Sequence, residues 1–229
     1  MKYRKDLKVV ICCLLFALWI VVSDTLFVKL DFYSFLGTIC AYYIRYAPIL
    51  IVSMIFFKKD VKKWLRLQNR KSVIGLLVVY FGYTIIVNLL YGYPDGIMAP
   101  IVYAIMLLCT VGVFEELLFR GIVYHDFKKR HSEGFAIIMS TLMFVCMHVS
   151  VILTGDIGSI VLFAVLASML SLSFIYLNKN TGNLWVSIIC HALWDMNISV
   201  GLVVIFLLVM FYVIKDCIEY AKFEKQASV

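Results

Sequence analysis

Apolar runs of bilayer-spanning length recur along this chain, and short polar segments separate them. A helix needs roughly 20 apolar residues to cross the ~30 Å hydrocarbon core of a bilayer. Each run comes close to that length, so the pattern predicts a series of transmembrane helices. The first six runs cover residues 9–28, 35–57, 73–91, 100–124, 134–153 and 159–177.

The last apolar run is too long for one straight crossing. It covers 31 residues, from 184 to 214, which is about 46 Å of helix at 1.5 Å per residue. We expect two elements, the first ending near 197–201 and the second reaching 214; a single long tilted helix is the alternative. The sequence therefore predicts an all-α, polytopic transmembrane helical bundle of seven to eight helices.

Composition and charge agree with a single membrane domain over residues 1–229. The chain is 64% hydrophobic and 15% charged, with a mean hydropathy of +0.98, far above the range of soluble domains. The net charge of +7 lies mostly in short loops, as the positive-inside rule expects of cytoplasmic loops. We therefore predict a multi-pass cell (plasma) membrane protein with a cytoplasmic N-terminus and no nucleic-acid partner.

The N-terminal segment has the general layout of a secretory signal. Lys2, Arg4, Lys5 and Lys8 precede the first apolar run, but the cleavage pattern is poor and further apolar runs follow. We expect an uncleaved first helix. Its Asp24 and the Arg45 of the second run are expected to form an ion pair between the two helices or to extend toward the membrane surface.

The loop 58–72 contains seven basic residues and one acid, Asp60, so we expect it in the cytoplasm. Val61, Trp64 and Leu65 have the i, i+3, i+4 spacing of a helix face. A short amphipathic helix on the membrane surface is one interpretation. We favour the other, a solvated loop.

The seven cysteines and the small residues of the sixth run are assigned to packing. No CxxC spacing occurs, so neither a disulfide framework nor a zinc ribbon is expected. Small residues at helical spacing let two helices approach closely. In the sixth run this set is Ala164, Ala167, Ser168 and Ser171.

The fourth apolar run carries three charged residues, Glu115, Glu116 and Arg120. Each costs roughly 2.5 to 3.5 kcal/mol near the centre of a spanning helix, so a functional or structural reason is expected. Glu116 and Arg120 are four residues apart, in the favourable order for a helical ion pair. Glu115 lies about 100° away around the helix and must find its partner on another segment.

Two later runs supply candidate partners. Phe144 and His148 are four residues apart in the fifth run, and His191 and Asp195 are four apart in the seventh. Counted from the predicted cytoplasmic ends, Glu115 and the two histidines lie roughly 12 to 21 Å deep at 1.5 Å per residue. We therefore expect one buried polar site that opens toward the cytoplasm. His125 and His131 lie in a basic loop and receive no role.

This set of side chains is suited to amide hydrolysis. A carboxylate can act as general base, one histidine can help to activate water, and a second can stabilise the oxyanion. The same groups could instead bind zinc, and the candidate ligands are then Glu115, His148, His191 and Asp195. The residues do not decide between a zinc enzyme and a metal-free glutamate mechanism.

The three motifs together resemble the CPBP family. They are Glu115-Glu116-x-x-x-Arg120, Phe144-x-x-x-His148 and His191-x-x-x-Asp195, on three hydrophobic segments in this order. The family comprises the type II CAAX prenyl endopeptidases and bacterial relatives linked to bacteriocin processing and self-immunity. The resemblance covers roughly residues 100–200.

The resemblance implies an intramembrane endopeptidase acting on a membrane-associated peptide or protein. Glu115 would be the general base, His148 would assist, and His191 with residue 195 would bind the oxyanion. Glu116 and Arg120 would be a structural pair. The eukaryotic-type enzymes have asparagine where this chain has Asp195, so Asp195 would be protonated, hold His191, or bind metal.

We divide the domain into three parts on this basis. Residues 1–99 form spans one to three, residues 100–200 the catalytic core, and residues 201–229 the last span and a short tail. Two other functions remain open. One is a non-catalytic membrane adaptor or immunity protein, and the other is a proton-coupled transporter, which also uses buried acids and histidines.

Overall fold

All described elements are helices, as the apolar pattern predicts. The computed structural model describes residues 2–30, 35–67, 70–91, 98–148 and 155–227. The helices are α1 (Lys2–Leu30), α2 (Phe35–Phe56), α3 (Lys58–Trp64), α4 (Arg70–Tyr91), α5 (Met98–Lys128), α6 (Glu133–Met147), α7 (Ile157–Thr181), α8 (Leu184–Met196) and α9 (Ile198–Ala227).

Six of these helices are long and apolar enough to cross a membrane: α1, α2, α4, α5, α7 and α9. The apolar helices α6 and α8 are shorter, with 15 and 13 residues, or about 22 and 20 Å at 1.5 Å per residue. The predicted fifth span reached residue 153, but residues 149–154 lie outside the described ranges. The count of seven to eight crossing helices therefore stays a prediction.

The long C-terminal apolar run is divided in two, as expected. Asn197 has extended backbone angles (φ −155°, ψ 106°), and its side chain accepts a hydrogen bond from the Val200 amide at the start of α9. Tyr176, near the end of α7, donates to Asp216 of α9 at 2.8 Å. Helix α9 therefore runs back alongside α8 toward the end of the bundle where α7 finishes.

Helix α5 is the centre of the bundle. In its most apolar window 67% of the residues are buried, against 33% or less in the other five long helices. Two π-helical stretches, Leu108–Gly112 and Leu117–Tyr124, interrupt its α-helical geometry. At Gly112 an added Cβ would lie 2.9 Å from the Ile188 carbonyl, so glycine here lets α8 pack closely against α5.

Residues Lys58–Trp64 form a helix, as one of the two interpretations of the loop 58–72 predicts, but its apolar face packs against protein and not on the membrane surface. Val61 is only 3% exposed, the Trp64 ring stacks on His125 with centroids 3.7 Å apart, and the Leu65 carbonyl accepts a hydrogen bond from Trp185. The spacing of these residues gives a helix face, but it does not show which surface that face covers. Here it covers the C-terminal end of α5 and the N-terminal end of α8. We call this end of the bundle, where the basic helix α3 lies, the basic end.

The basic end is further held together by an ionic cluster. Asp6 of α1 accepts from Arg130 Nε at 2.6 Å and contacts His131 Nε2 at 2.8 Å. Asp126 also accepts from Arg130, and this hydrogen bond raises the pKa of the guanidinium. His131 and the stacked His125 therefore have structural contacts here.

Two contacts between helices agree with expectations from the sequence. Asp24 and Arg45 form the predicted ion pair between α1 and α2. In the small-residue set, Ala167 and Ser171 are buried, and the Ser171 hydroxyl lies 3.1 Å from that of Thr141 in α6. Both contacts join neighbouring helices.

Gly201→Ala is expected to destabilise the protein. A Cβ at this position would lie 2.4 Å from the Trp194 Cα, so α8 and α9 would have to separate, at a cost of about 1 to 3 kcal/mol. Thermal unfolding in detergent measures the effect. Gly82→Ala in α4, where nothing lies within 4 Å of the added carbon, is the control; an equal melting temperature for both variants would contradict the close packing.

Candidate active site

The charged residues of α5 are buried at the centre of the bundle. Glu116 and Arg120 are 0% exposed, and Arg120 Nη1 donates to Glu116 Oε1 at 2.8 Å. Aromatic rings surround the guanidinium, with the Phe144 and Phe174 centroids 4.4 and 5.1 Å from its central carbon. The predicted ion pair is present, and the cation–π contacts further compensate the buried positive charge.

Glu116 also binds His191, which the sequence does not reveal. Its Oε1 lies 2.8 Å from His191 Nδ1, and because an ionised carboxylate only accepts, the nitrogen donates. Phe174 stacks on the imidazole ring, with centroids 5.2 Å apart. Glu116 therefore fixes the position of the Arg120 guanidinium and the orientation of the His191 ring.

The other nitrogen of His191 faces two further carboxylates. Its Nε2 lies 3.6 Å from Glu115 Oε2 and 3.9 Å from Asp195 Oδ2. Glu115 Oε2 makes no hydrogen bond within the described part of the chain. The structure thus brings Glu115, His191 and Asp195 together around one imidazole nitrogen.

His148 lies at the end of α6 rather than within it. Its backbone angles (φ −86°, ψ 45°) are not helical, and its Nδ1 lies 2.9 Å from the Phe144 carbonyl oxygen. That oxygen can only accept, so Nδ1 carries a proton, and in the neutral ring Nε2 is the acceptor. The predicted spacing of Phe144 and His148 therefore fixes the tautomer of the histidine.

All four predicted catalytic residues line one cavity of about 220 Å³. Three tyrosines that the sequence analysis did not select share this cavity: Tyr42 and Tyr46 from α2, and Tyr103 from α5. None of the three motifs includes these tyrosines, so the sequence does not distinguish them from ordinary core residues. The remaining lining residues are Leu107 and Val111.

The cavity extends away from the basic end. On α5 its lining residues are Tyr103, Leu107, Val111 and Glu115, all on the Met98 side of the charged pair. On the other side of the charged pair, every residue of Leu117–Tyr124 is buried, and α3 packs against this end of α5. The cytoplasmic location of the basic loops and the opening of the site toward the cytoplasm both stay predictions.

The donor geometry does not form a metal centre. Among the described residues, no group of three or more His, Cys, Asp or Glu side chains is arranged to hold a metal ion. Zinc requires about four ligands at roughly 2.0 to 2.3 Å, whereas His148 makes no ion pair with any described carboxylate. The four predicted ligands share the cavity but are not arranged around one point in the described structure.

Residues 97–197 match the family described as type II CAAX prenyl endopeptidase Rce1-like. The predicted resemblance to the CPBP family is confirmed. No curated protein and no solved structure matches the chain. The matched region includes every residue of the three motifs, and the family points to an intramembrane endopeptidase.

Glu116→Gln is expected to lower the stability of the protein strongly. The change removes the charge that compensates Arg120 at a fully buried position, and breaking such a pair costs about 3 to 5 kcal/mol. The measurement is thermal or denaturant unfolding in detergent. Glu219→Gln is the matched control, because its pair with Lys215 at 3.7 Å is exposed; equal losses in both variants would contradict the structural role of Glu116.

Proposed function

We propose that this chain is an intramembrane endopeptidase that hydrolyses a peptide bond of a membrane-associated substrate with a glutamate-activated water. The observation that carries the proposal is the position of Glu115. Its free Oε2 faces a polar cavity and lies 3.6 Å from an imidazole that a second glutamate holds in place. The family match supports the same activity.

Glu115 is the general base in this mechanism. Its carboxylate takes a proton from a water molecule in the cavity, and the water oxygen forms a bond to the substrate carbonyl carbon. His148 assists, because its Nε2 can accept a hydrogen bond from the same water while Nδ1 donates to the Phe144 carbonyl. Glu115 then returns the proton to the amide nitrogen as the C–N bond breaks.

His191 stabilises the oxyanion. Its Nδ1 proton is held by Glu116, so a second proton on Nε2 makes it a donor toward the cavity. Asp195 Oδ2 lies 3.9 Å from the same nitrogen, and its negative charge stabilises the doubly protonated form of the ring. An ionised aspartate fits this role. It would not fit direct contact with the oxyanion, because the two negative charges repel each other.

The substrate is proposed to be a peptide or protein segment in the membrane. The cavity of about 220 Å³ holds a short piece of backbone and not a folded domain, so the scissile bond must be in an extended or locally unwound segment. If the source is bacterial, bacteriocin maturation and self-immunity are the candidate roles. An adaptor or immunity protein without catalysis would use the same bundle but not Glu115.

Glu115→Gln is expected to reduce the cleavage rate about 10²- to 10⁴-fold, the usual contribution of a general base. Purified protein in liposomes is incubated with membrane peptides in heavy-oxygen water, and mass spectrometry detects new C-termini that have gained one heavy oxygen atom. His148→Ala is expected to slow the same reaction.

Glu219→Gln, on the exposed surface of α9, is the matched control and should cleave at the wild-type rate. The thermal stability of Glu115→Gln should stay close to wild type, because Glu115 Oε2 makes no hydrogen bond with the described residues. Full activity in both Glu115→Gln and His148→Ala would overturn the proposal. Biological function retained by an inactive double variant would favour the adaptor instead.

Cleavage is expected to persist after treatment with a strong chelator. The four candidate ligands do not converge within the described site, so the proposed water activation needs only Glu115 and His148. The test compares initial rates before and after chelation, with metal analysis of the same sample. Loss of activity that stoichiometric zinc restores would show that the side chains rearrange around a metal, and would replace this mechanism.

A further inference from the structure

A second cavity, of about 560 Å³, lies at the junction of α2 and α3, away from Glu115. Apolar side chains of α2 and the buried edge of α3 form one part of it, and two lysines form the other. Its lining residues are Ile51, Met54, Ile55, Lys58, Val61 and Lys62. We call it the α2–α3 groove.

The geometry of the groove separates an apolar part from a cationic part. Ile51 and Ile55 are four residues apart, so both lie on one side of α2, and Lys58 begins α3 directly after the bend at Phe57. Ile51 and Ile55 are 56% and 68% exposed. The apolar wall therefore runs along the expected depth of the acyl chains and ends at the basic end of the bundle, where headgroups lie.

The two lysines of the groove have no carboxylate partner among the described side chains. Other lysines of the bundle do: Lys128 and Lys179 each pair with Glu133 at 3.1 Å, and Lys215 pairs with Glu219. Lys58 and Lys62 are four residues apart on α3, so both ammonium groups can reach one anionic group. The described residues that line the groove include no acid.

We propose that the α2–α3 groove binds one anionic phospholipid. An acyl chain lies against Ile51, Met54 and Ile55, and the headgroup phosphate is bound by Lys58 and Lys62. Basic pockets at the cytoplasmic side of membrane helices bind anionic headgroups in this way. A zwitterionic lipid offers the same chains but carries a compensating cation that the two lysines repel.

The groove is also connected, through α3, to α5, the helix that carries Glu115 and Glu116. Val61 lines the groove on one side and is buried against the bundle on the other, one turn before the Trp64 that stacks on His125. A lipid in the groove would therefore hold α3 against the closed basic end. The lipid site itself does not depend on the proposed peptidase activity.

The test is native mass spectrometry of the full chain with added phosphatidylglycerol or phosphatidylcholine of the same acyl composition. The wild-type protein should retain one phosphatidylglycerol in preference to phosphatidylcholine. The double variant Lys58→Gln, Lys62→Gln should weaken phosphatidylglycerol binding roughly tenfold to thirtyfold, given the usual contribution of each lysine near a membrane surface.

Two further variants make the result specific. Lys63→Gln removes the same charge from the same helix outside the groove, where the ammonium lies 4.6 Å from the Trp64 ring centroid, and it should bind phosphatidylglycerol like wild type. Met54→Trp fills the apolar part and should reduce binding without any change of charge. Equal retention of both lipids by the wild type, or an equal loss in Lys63→Gln, would overturn the proposal.

Discussion

The rest of the site depends on the two hydrogen bonds that the Glu116 carboxylate accepts. One oxygen of this carboxylate accepts from Arg120 and from His191, both at 2.8 Å. An unpaired ion in such a place would cost several kcal/mol, so α5 and α8 are held in one relative position. That position brings the free side of His191 to Glu115 and Asp195, and the chemistry therefore rests on a pair that does not itself react.

Two adjacent glutamates can serve one histidine because an imidazole has two nitrogens. On a regular helix the side chains of Glu115 and Glu116 diverge by about 100°. Here Glu116 reaches Nδ1 and Glu115 faces Nε2, so the ring spans the angle between them. The π-helical stretches on both sides of the pair add wide turns to α5, a feature that is frequent at functional sites.

The sequence predicted the parts of the site that follow from one helix or from depth in the membrane. The Glu116–Arg120 pair follows from a spacing of four, and the meeting of Glu115 with the histidines follows from their similar depths. The contact of Glu116 with His191 depends on how two helices are rotated against each other, which residue spacing does not fix. The same holds for Tyr42, Tyr46 and Tyr103, and for the face of α3.

The direction of the cavity limits how a substrate can arrive. The buried residues of Leu117–Tyr124, with α3 packed beneath them, close the site at the basic end, while the lining continues from Glu115 up to Tyr103. If the basic loops lie in the cytoplasm, as charge distribution favours, a peptide bond must come from within the bilayer or from its outer half. A substrate delivered from the cytoplasm would instead require α3 to move, which would break the Trp64–His125 stack and the Trp185 hydrogen bond to Leu65.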